Sequence, residues 1–256
     1  MIRRSTLRAQ IAAALRDEIL AGRLPTGRDF TVKEIAEQFG VSATPVREAL
    51  VDLAAQGLLD MEQHRGFRVH EFTLGDFRAM VEARTLVLDG IFHRAHLAGE
   101  WLADTEPEVL ASVHRRAESA ERAALTGDLD VLIGYDLRYW RELGGLVSNP
   151  YICDFLDRLR VQCWVFSVPW LRRERSLAGR LWSGHRELAD AVTRRDAATA
   201  QRLVAAYNQH ALDQVANCRA AREGQEGPEG REGWEGRDGP DENQDVPREN
   251  RDVSET

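Results

Sequence analysis

The stretch GVSATPVREAL, residues 40–50, decides the fold of the N-terminal part of the chain. Gly40 ends one run of helical periodicity, and Ser42 is suited to cap the next helix, because its hydroxyl can accept a backbone N–H of the first turn. Pro45 falls within that first turn, where its missing N–H has no intrahelical partner to lose. The stretch therefore predicts a tight turn followed by the start of a second helix.

The predicted second helix has two different faces. Thr44 and Arg47 are three residues apart and share one face, whereas Val46 and Leu50 share the opposite, apolar face. In a helix-turn-helix, the first turn of such a helix enters the major groove of DNA, where arginine can bond a guanine edge through two donors. The other interpretation is a capped surface helix whose polar side is only solvated.

Short elements around this stretch complete a small domain. Apolar residues recur at helical spacing before it, and two short extended runs follow it around a polar turn. The tip of that turn combines cationic side chains with Gly66, whose missing side chain lets the backbone approach a groove or phosphate closely. The predicted elements are helices over 6–21, over 32–39 and from 42 onward, and extended runs over 58–61 and 67–72.

These motifs carry a resemblance to a known family. The stretch from Leu15 to Val69, with GRLPTG, VKEIAEQFGVS, TPVREAL and RGFRV in order, resembles the winged-helix domain of GntR-type bacterial transcription regulators. The resemblance implies a homodimer that binds a short inverted repeat in double-stranded DNA. The residues predicted to meet DNA lie at the starts of two helices and in the wing: Lys33, Ser42, Thr44, Arg47, His64, Arg65, Gly66 and Arg68.

Ala43 departs from the family pattern. Most members have an arginine at this position, between the cap serine and the threonine, and it commonly contacts a base or a phosphate. Alanine removes those donors but leaves a methyl group that can meet the methyl group of thymine. The resemblance therefore predicts an operator that differs from the usual consensus, with base recognition concentrated on Arg47.

The rest of the chain divides into two further regions. From Thr73 to about Arg222, apolar residues recur at helical spacing between Gly, Pro, Asn and Asp breaks, which predicts an all-helical bundle. From Glu223 onward, glycines and acidic residues predict a disordered acidic tail. The fold class is thus mainly α. The predicted domains are 1–72, a winged helix-turn-helix; 73–222, an effector-binding and dimerisation bundle; and 223–256, the tail.

The bundle is similar to the all-helical, FCD-like effector domain of the FadR-type subgroup. That similarity implies a cavity for a small carboxylate, often with a divalent metal held by one aspartate and three histidines. Asp136 and His185 occupy ligand positions, but Trp140 and Tyr207 stand where two histidines are expected. Two interpretations stay open. In the first, Asp136, His185, a Tyr207 phenolate and the effector itself hold a metal such as zinc or nickel, with His210 as a substitute for Tyr207. In the second, the aromatics rebuild the cavity for a larger or less polar effector that binds without metal.

Arg84 lies where the family has an arginine that tends to face the cavity. One interpretation is a clamp for an effector carboxylate. The other is a helix-surface cation that pairs with Glu82 or Asp89. The predicted effector-binding residues are therefore Arg84, Asp136, Trp140, His185 and Tyr207, and the incomplete metal set is Asp136 with His185.

Charge and composition narrow the class of protein. The net charge is −8, but the segment from Glu223 onward has 12 acidic and 4 basic residues, so the tail accounts for the whole excess. No apolar run reaches the length of a membrane span, and the three cysteines lack metal-type spacing, so we expect a cytoplasmic protein with no membrane partner.

The sequence favours a DNA-binding transcription repressor that responds to a small carboxylate. It shows no pairing of a nucleophile with a base and no complete ligand set, which speaks against an enzyme. The alternatives are a metal-dependent enzyme built on Asp136 and His185, and a constitutive DNA-binding protein whose pocket does not signal.

Overall fold

The computed structural model describes residues 6–62, 66–98, 105–147 and 149–223. The fold is mainly α, with a winged helix-turn-helix at the N-terminus and a helical bundle after it. Both lie in one compact unit that ends at Arg219. Within the described residues, no helix has the length and apolar character needed to cross a bilayer. The predicted acidic tail lies outside the described residues apart from Glu223, the last residue of the last helix.

The winged helix forms as the periodicity predicts. Thr6 caps the first helix, with its hydroxyl accepting the backbone N–H of Ala9 at 3.2 Å. Thr31 and Glu34 close a reciprocal capping box at the start of the second helix. Gly40 ends that helix with φ of +64°, a left-handed conformation that glycine adopts without strain. The helices are α1 (Leu7–Leu20), α2 (Val32–Phe39) and α3 (Ala43–Ala55).

The wing is a three-stranded sheet rather than the predicted hairpin. A third strand, β1 (Asp29–Phe30), precedes β2 (Leu59–Glu62) and β3 (Gly66–Val69), and the strands lie in the order β1-β3-β2, all antiparallel. The two residues of β1 are too few to show an alternating pattern, so the sequence indicated only a turn there.

Six further helices in the described part of the chain form the bundle, and no strand occurs in it there, as predicted. Asn149 caps one of these helices by accepting the N–H of Ile152 at 3.0 Å, and Pro150 takes its first position. The bundle helices are α4 (Leu74–Ala98), α5 (Pro107–Thr126), α6 (Leu129–Val147), α7 (Pro150–Leu171), α8 (His185–Thr193) and α9 (Ala197–Glu223).

Helix α7 connects the two parts of the fold. Val161 and Val165 on one of its faces belong to the same buried apolar cluster as Leu15 and Leu58 of the winged helix. Removing apolar surface from water stabilises the fold by about 25 cal/mol per Å², so this shared cluster holds the two parts together strongly. The same helix carries Arg160 into the interior of the bundle, so α7 lies between the winged helix and the bundle core.

Candidate DNA interface and effector cavity

The start of α3 presents polar side chains to solvent. Thr44 and Arg47 are exposed, whereas Val46 and Leu50 on the other side of the helix are completely buried. Among the described residues, none forms a hydrogen bond or an ion pair with Arg47, so the donors of its guanidinium remain available to a partner. The structure thus places Thr44 and Arg47 on one open face, with Ala43 beside them.

Ser42 is the N-cap residue of α3, but its hydroxyl does not cap the helix. Its backbone is extended, with φ of −72° and ψ of 156°, and no side-chain cap hydrogen bond forms. A capping hydroxyl bonds the N–H of the second or third helical residue. The third residue here is Pro45, which has no N–H, and this limits the donors available to Ser42. The expected cap was therefore wrong, and the exposed hydroxyl is left at the surface.

The other predicted DNA-binding residues differ in their surroundings. Lys33 is exposed in the first turn of α2, with Nζ 3.8 Å from Glu37. Arg68 of β3 donates from Nε to Asp29 at 2.7 Å and lies 3.5 Å from Glu62, so two carboxylates balance its charge. His64 and Arg65 lie outside the described residues.

Gly66 is required by the sheet itself. Its φ is +102°, and a Cβ atom added there would lie 2.5 Å from the carbonyl oxygen of Phe30 in β1. The sequence predicted that Gly66 permits a close approach of DNA, but the contact that requires a glycine here is the close approach of β1.

In the bundle, four side chains converge on the carboxylate of Asp136. Oδ1 accepts from Trp140 Nε1 at 2.9 Å and lies 3.0 Å from His185 Nε2. Oδ2 accepts from Trp164 Nε1 at 2.9 Å and from the Tyr207 hydroxyl at 3.1 Å. A carboxylate has about four lone-pair sites, so these donors fill it.

Burial and hydrogen bonding oppose each other at this carboxylate. Burial by itself would raise the pKa of Asp136, but the hydrogen bonds from His185 and Trp164 and the positive charge of Arg160 outweigh it, so the pKa lies below its ordinary value. Burial, together with the negative charge of Asp136, raises the pKa of the Tyr207 phenol. Asp136 is therefore ionised at neutral pH and Tyr207 keeps its proton.

Aromatic rings enclose this centre. The ring centroids of Trp140 and Tyr207 are 4.7 Å apart, and the Trp182 ring lies 4.9 Å from Tyr207 and 4.6 Å from His185. The adjoining cavity has a free volume of about 40 Å³. The rings therefore fill space beside the carboxylate of Asp136, and the size of the effector stays a prediction.

Two arginines are buried beside the centre. Arg84 is 1% exposed and its Cζ lies 5.1 Å from the centroid of the Tyr207 ring, while Arg160 is 2% exposed and its Cζ lies 4.6 Å from that of Trp140. Glu82 and Asp89 are exposed, and no ion pair joins either of them to Arg84 in the described residues. Arg84 thus faces the interior, as the clamp interpretation requires. Burial lowers the pKa of Arg160, and the positive charge of Arg84 adds to this.

Sequence reasoning identified Arg84, Asp136, Trp140, His185 and Tyr207, and the structure brings all five together. It missed Arg160, Trp164 and Trp182. Arg160 had a detectable signal, because it lies four residues after Leu156 on the otherwise apolar face of α7. Trp164 and Trp182 had no such signal in the sequence, because apolar residues in helical segments more often belong to a core than to a site.

The donor set does not fit a metal ion. The indole N–H of Trp140 can only donate, while the Tyr207 hydroxyl and His185 Nε2 both bond the carboxylate of Asp136. His210 lines the same cavity but is not among the four donors to Asp136. No group of three or more His, Cys, Asp or Glu residues in the described ranges could hold a metal. The interpretation with a Tyr207 phenolate is therefore not supported by the geometry.

Comparisons with family models match both parts of the chain. Residues 7–69 match the model described as bacterial regulatory proteins, gntR family, and residues 95–210 match the FCD domain.

Comparisons with known proteins agree with these models. A protein of Paenarthrobacter nicotinovorans named "Probable D-xylose utilization operon transcriptional repressor" is 31% identical over 62% of this chain and 67% of its own length. The transcriptional regulator McbR of Escherichia coli is 28% identical over 65% of this chain and 71% of its own.

Solved structures show the same fold. That of E. coli McbR/YncC matches with a TM-score of 0.65 at 23% identity, covering 86% of this chain and 100% of that one. A GntR transcriptional regulator of Rhodococcus sp. RHA1 matches with a TM-score of 0.61 at 20% identity, covering 83% of this chain and 99% of that one.

Proposed function

The chain belongs to the GntR family of bacterial transcription regulators and carries an FCD domain, and on that premise we propose that it is a dimeric repressor released or recruited by a small carboxylate. The exposed start of α3 meets the major groove of a short inverted repeat. The effector binds beside Asp136 in the bundle. We further propose that the DNA-binding domain ends near residue 72 and that the effector domain ends near residue 222.

The observation that carries the DNA-binding role is the free guanidinium of Arg47. Arg47 is exposed and has no partner within the described ranges, and it lies at the start of a helix whose other face is buried, which suits bidentate contact with guanine. Lys33, Ser42, Thr44 and the wing residues His64, Arg65, Gly66 and Arg68 remain predictions. Arg68 is the weakest of them, because a phosphate would have to compete with Asp29 and Glu62 for its donors.

The effector role is supported by Arg84, a buried cation on the FCD side of the fold. A ligand that binds one dimer geometry more tightly than another shifts the population toward it, and this is all that regulation requires. Effector binding would then change the spacing of the two winged helices. The metal-dependent enzyme is not favoured, because the donors around Asp136 do not fit a metal.

A titration of the DNA upstream of the gene, at fixed salt, tests the DNA-binding role. We expect Arg47→Ala to weaken specific binding about 5- to 150-fold, corresponding to about 1–3 kcal/mol of lost discrimination. Arg23→Ala is the matched control, because Arg23 is exposed in the same domain but bonds Glu18 away from α3. Equal binding by wild type and Arg47→Ala would refute the assignment.

A further inference from the structure

A second cavity lies within the bundle, between helices α4, α6, α7, α8 and α9. It has a free volume of about 40 Å³, and its walls are mainly aliphatic and aromatic. The buried side chains that give the cavity this character are Leu88, Ile91, Phe92, Leu156, Leu188 and Val204. We call it the apolar cavity, to distinguish it from the Asp136 cavity.

The two cavities are separated by a partition of two side chains. Among the described residues, Arg160 is the only one that lines both cavities. Trp140 lines the apolar cavity, while its Nε1–H donates at 2.9 Å to Asp136, which lines the other. The Cζ of Arg160 lies 4.6 Å from the centroid of the Trp140 ring, so the two groups close the space between the cavities.

The charged groups at the edge of the apolar cavity are largely engaged by one another. Asp157 accepts from Nε of Arg141 at 2.6 Å and lies 3.7 Å from Nη1 of Arg160. Among the described lining residues, at most one buried side-chain nitrogen donor, Nε of Arg160, is left without a partner. A buried water needs two to four polar partners, so the apolar cavity is poorly suited to hold water.

The size of the apolar cavity suits a compact ligand. Roughly 10–15 Å³ of such free volume holds one water-sized group, so the cavity has room for about three. Side chains that line an empty space lose dispersion contacts with the atoms that would fill it. A neutral apolar ligand restores these contacts without breaking a hydrogen bond, and dry cavities of this kind in proteins bind xenon and benzene.

We propose that the apolar cavity is a second ligand site of the bundle, which binds a compact neutral molecule of about three to five carbon atoms. The alkyl chain of an acid in the Asp136 cavity is not the occupant, because it would have to displace Trp140 from its hydrogen bond with Asp136. A ligand in the apolar cavity lies against Trp140 and thus adjoins the Asp136 centre from the opposite side of the partition. Its binding does not depend on the proposed effector function.

Binding of neutral probes to the full-length protein tests the site. The apolar probes are xenon, cyclopropane and cyclopentane, and acetamide is the polar probe of similar size. We expect the apolar probes to raise the Tm by about 3–6 °C at ten times their Kd and acetamide to leave it unchanged. The absence of any response to the three apolar probes, in Tm and in xenon NMR, would overturn the proposal.

A matched pair of substitutions locates the site. Ala200→Val adds two methyl groups at a fully buried position in the lining of the apolar cavity, so it is expected to abolish probe binding and to keep or raise the Tm. Ala191 is equally buried but lines neither cavity. Ala191→Val is therefore expected to lower the Tm and leave probe binding intact. Unchanged probe binding in Ala200→Val would overturn the location.

Leu156→Ala makes the opposite change and gives a gain of binding that an unfolded variant cannot produce. It enlarges the cavity, so benzene is expected to bind about tenfold or more tightly than it binds the wild type. Equal binding of benzene by both proteins would contradict the location. Butanoate is expected to leave the affinity for cyclopropane unchanged by competition, whereas mutual exclusion of the two would show that the chain of an acid occupies the cavity and would overturn the proposal.

Discussion

At Asp136, aromatic residues stand where the similarity to FCD domains implies metal ligands, and they change the chemistry around the carboxylate. Trp140 and Tyr207 each supply a hydrogen-bond donor, where a metal site needs a lone pair. Four donors neutralise and orient the buried charge as a cation would. The centre is therefore expected to stabilise the bundle directly.

Asp136→Asn tests this structural role. The amide keeps one acceptor oxygen and turns an NH₂ group toward donors, so buried donors lose their partner. We expect a loss of about 3–5 kcal/mol in the free energy of unfolding, measured by urea denaturation. Asp130→Asn, which removes an exposed carboxylate paired with Arg172, is the control and is expected to cost less than about 1 kcal/mol.

The difference in unfolding free energy between wild type and Asp136→Asn is expected to depend on pH. Folding lowers the pKa of Asp136 below its ordinary value of 3.8, so its contribution is complete above that value and is lost as the pH falls through the lower folded value. The gap in unfolding free energy between wild type and Asp136→Asn is therefore expected to narrow below about pH 4. A gap that instead widened in acid would show that the carboxylate is protonated in the native state.

The absence of a metal requirement at Asp136 can be tested by adding metal and measuring the Tm. Zinc or nickel is not expected to raise the Tm of the wild-type protein. The double variant Trp140→His/Tyr207→His would join two new imidazoles to Asp136 and His185, and its Tm is expected to rise with metal concentration. Trp182→His is the control, because Trp182 belongs to the same aromatic wall without bonding Asp136. Stoichiometric metal on the wild type after dialysis would contradict this account.

At the scale of elements, the periodicity predicted every helix of the winged helix to within two residues. It missed β1, because two residues carry no alternation, and it assigned a capping bond to Ser42 that Pro45 discourages. In the bundle it predicted the all-helical fold and named five residues that line or adjoin the cavity. It missed Arg160, although the position of this residue on the apolar face of α7 was a detectable signal, and it had no signal for Trp164 or Trp182.

Helix α7 links the cavity to the end of the recognition helix. Trp164 bonds Asp136 on one side, and on the other Gln162 Nε2 donates to the carbonyl of Gln56, the C-cap residue of α3, at 2.8 Å. Arg16 of α1 bonds the Gln56 side chain, also at 2.8 Å. A small shift of α7 would therefore displace the C-terminal end of α3 directly.

Gln162→Ala tests this link. We expect the protein to stay folded, at a cost of about 1 kcal/mol in unfolding free energy, and to bind its operator, because α3 keeps its apolar face. The change in operator affinity caused by the effector is expected to shrink severalfold, as measured by fluorescence anisotropy. Gln209→Ala, which loses a bond to Asp213 within α9, is the control. Full coupling in Gln162→Ala would show that the signal travels elsewhere.

At the scale of the whole molecule, function depends on charge placement rather than on net charge. The first 70 residues contain 10 basic and 9 acidic residues, so the winged helix has almost no net attraction for DNA. Several of its arginines are engaged by carboxylates, among them Arg8 by Asp52 and Arg68 by Asp29. Specific binding must then depend on a few free donors, of which Arg47 is the clearest.

The most direct test of the account is operator affinity at fixed salt with and without the acid that binds most tightly, in wild type and in Arg84→Met. We predict that the acid changes the wild-type affinity about 5- to 150-fold, the usual range for coupled sites, and leaves Arg84→Met unchanged. Binding of the acid to the wild type with no change in operator affinity would contradict the account and identify a constitutive DNA-binding protein.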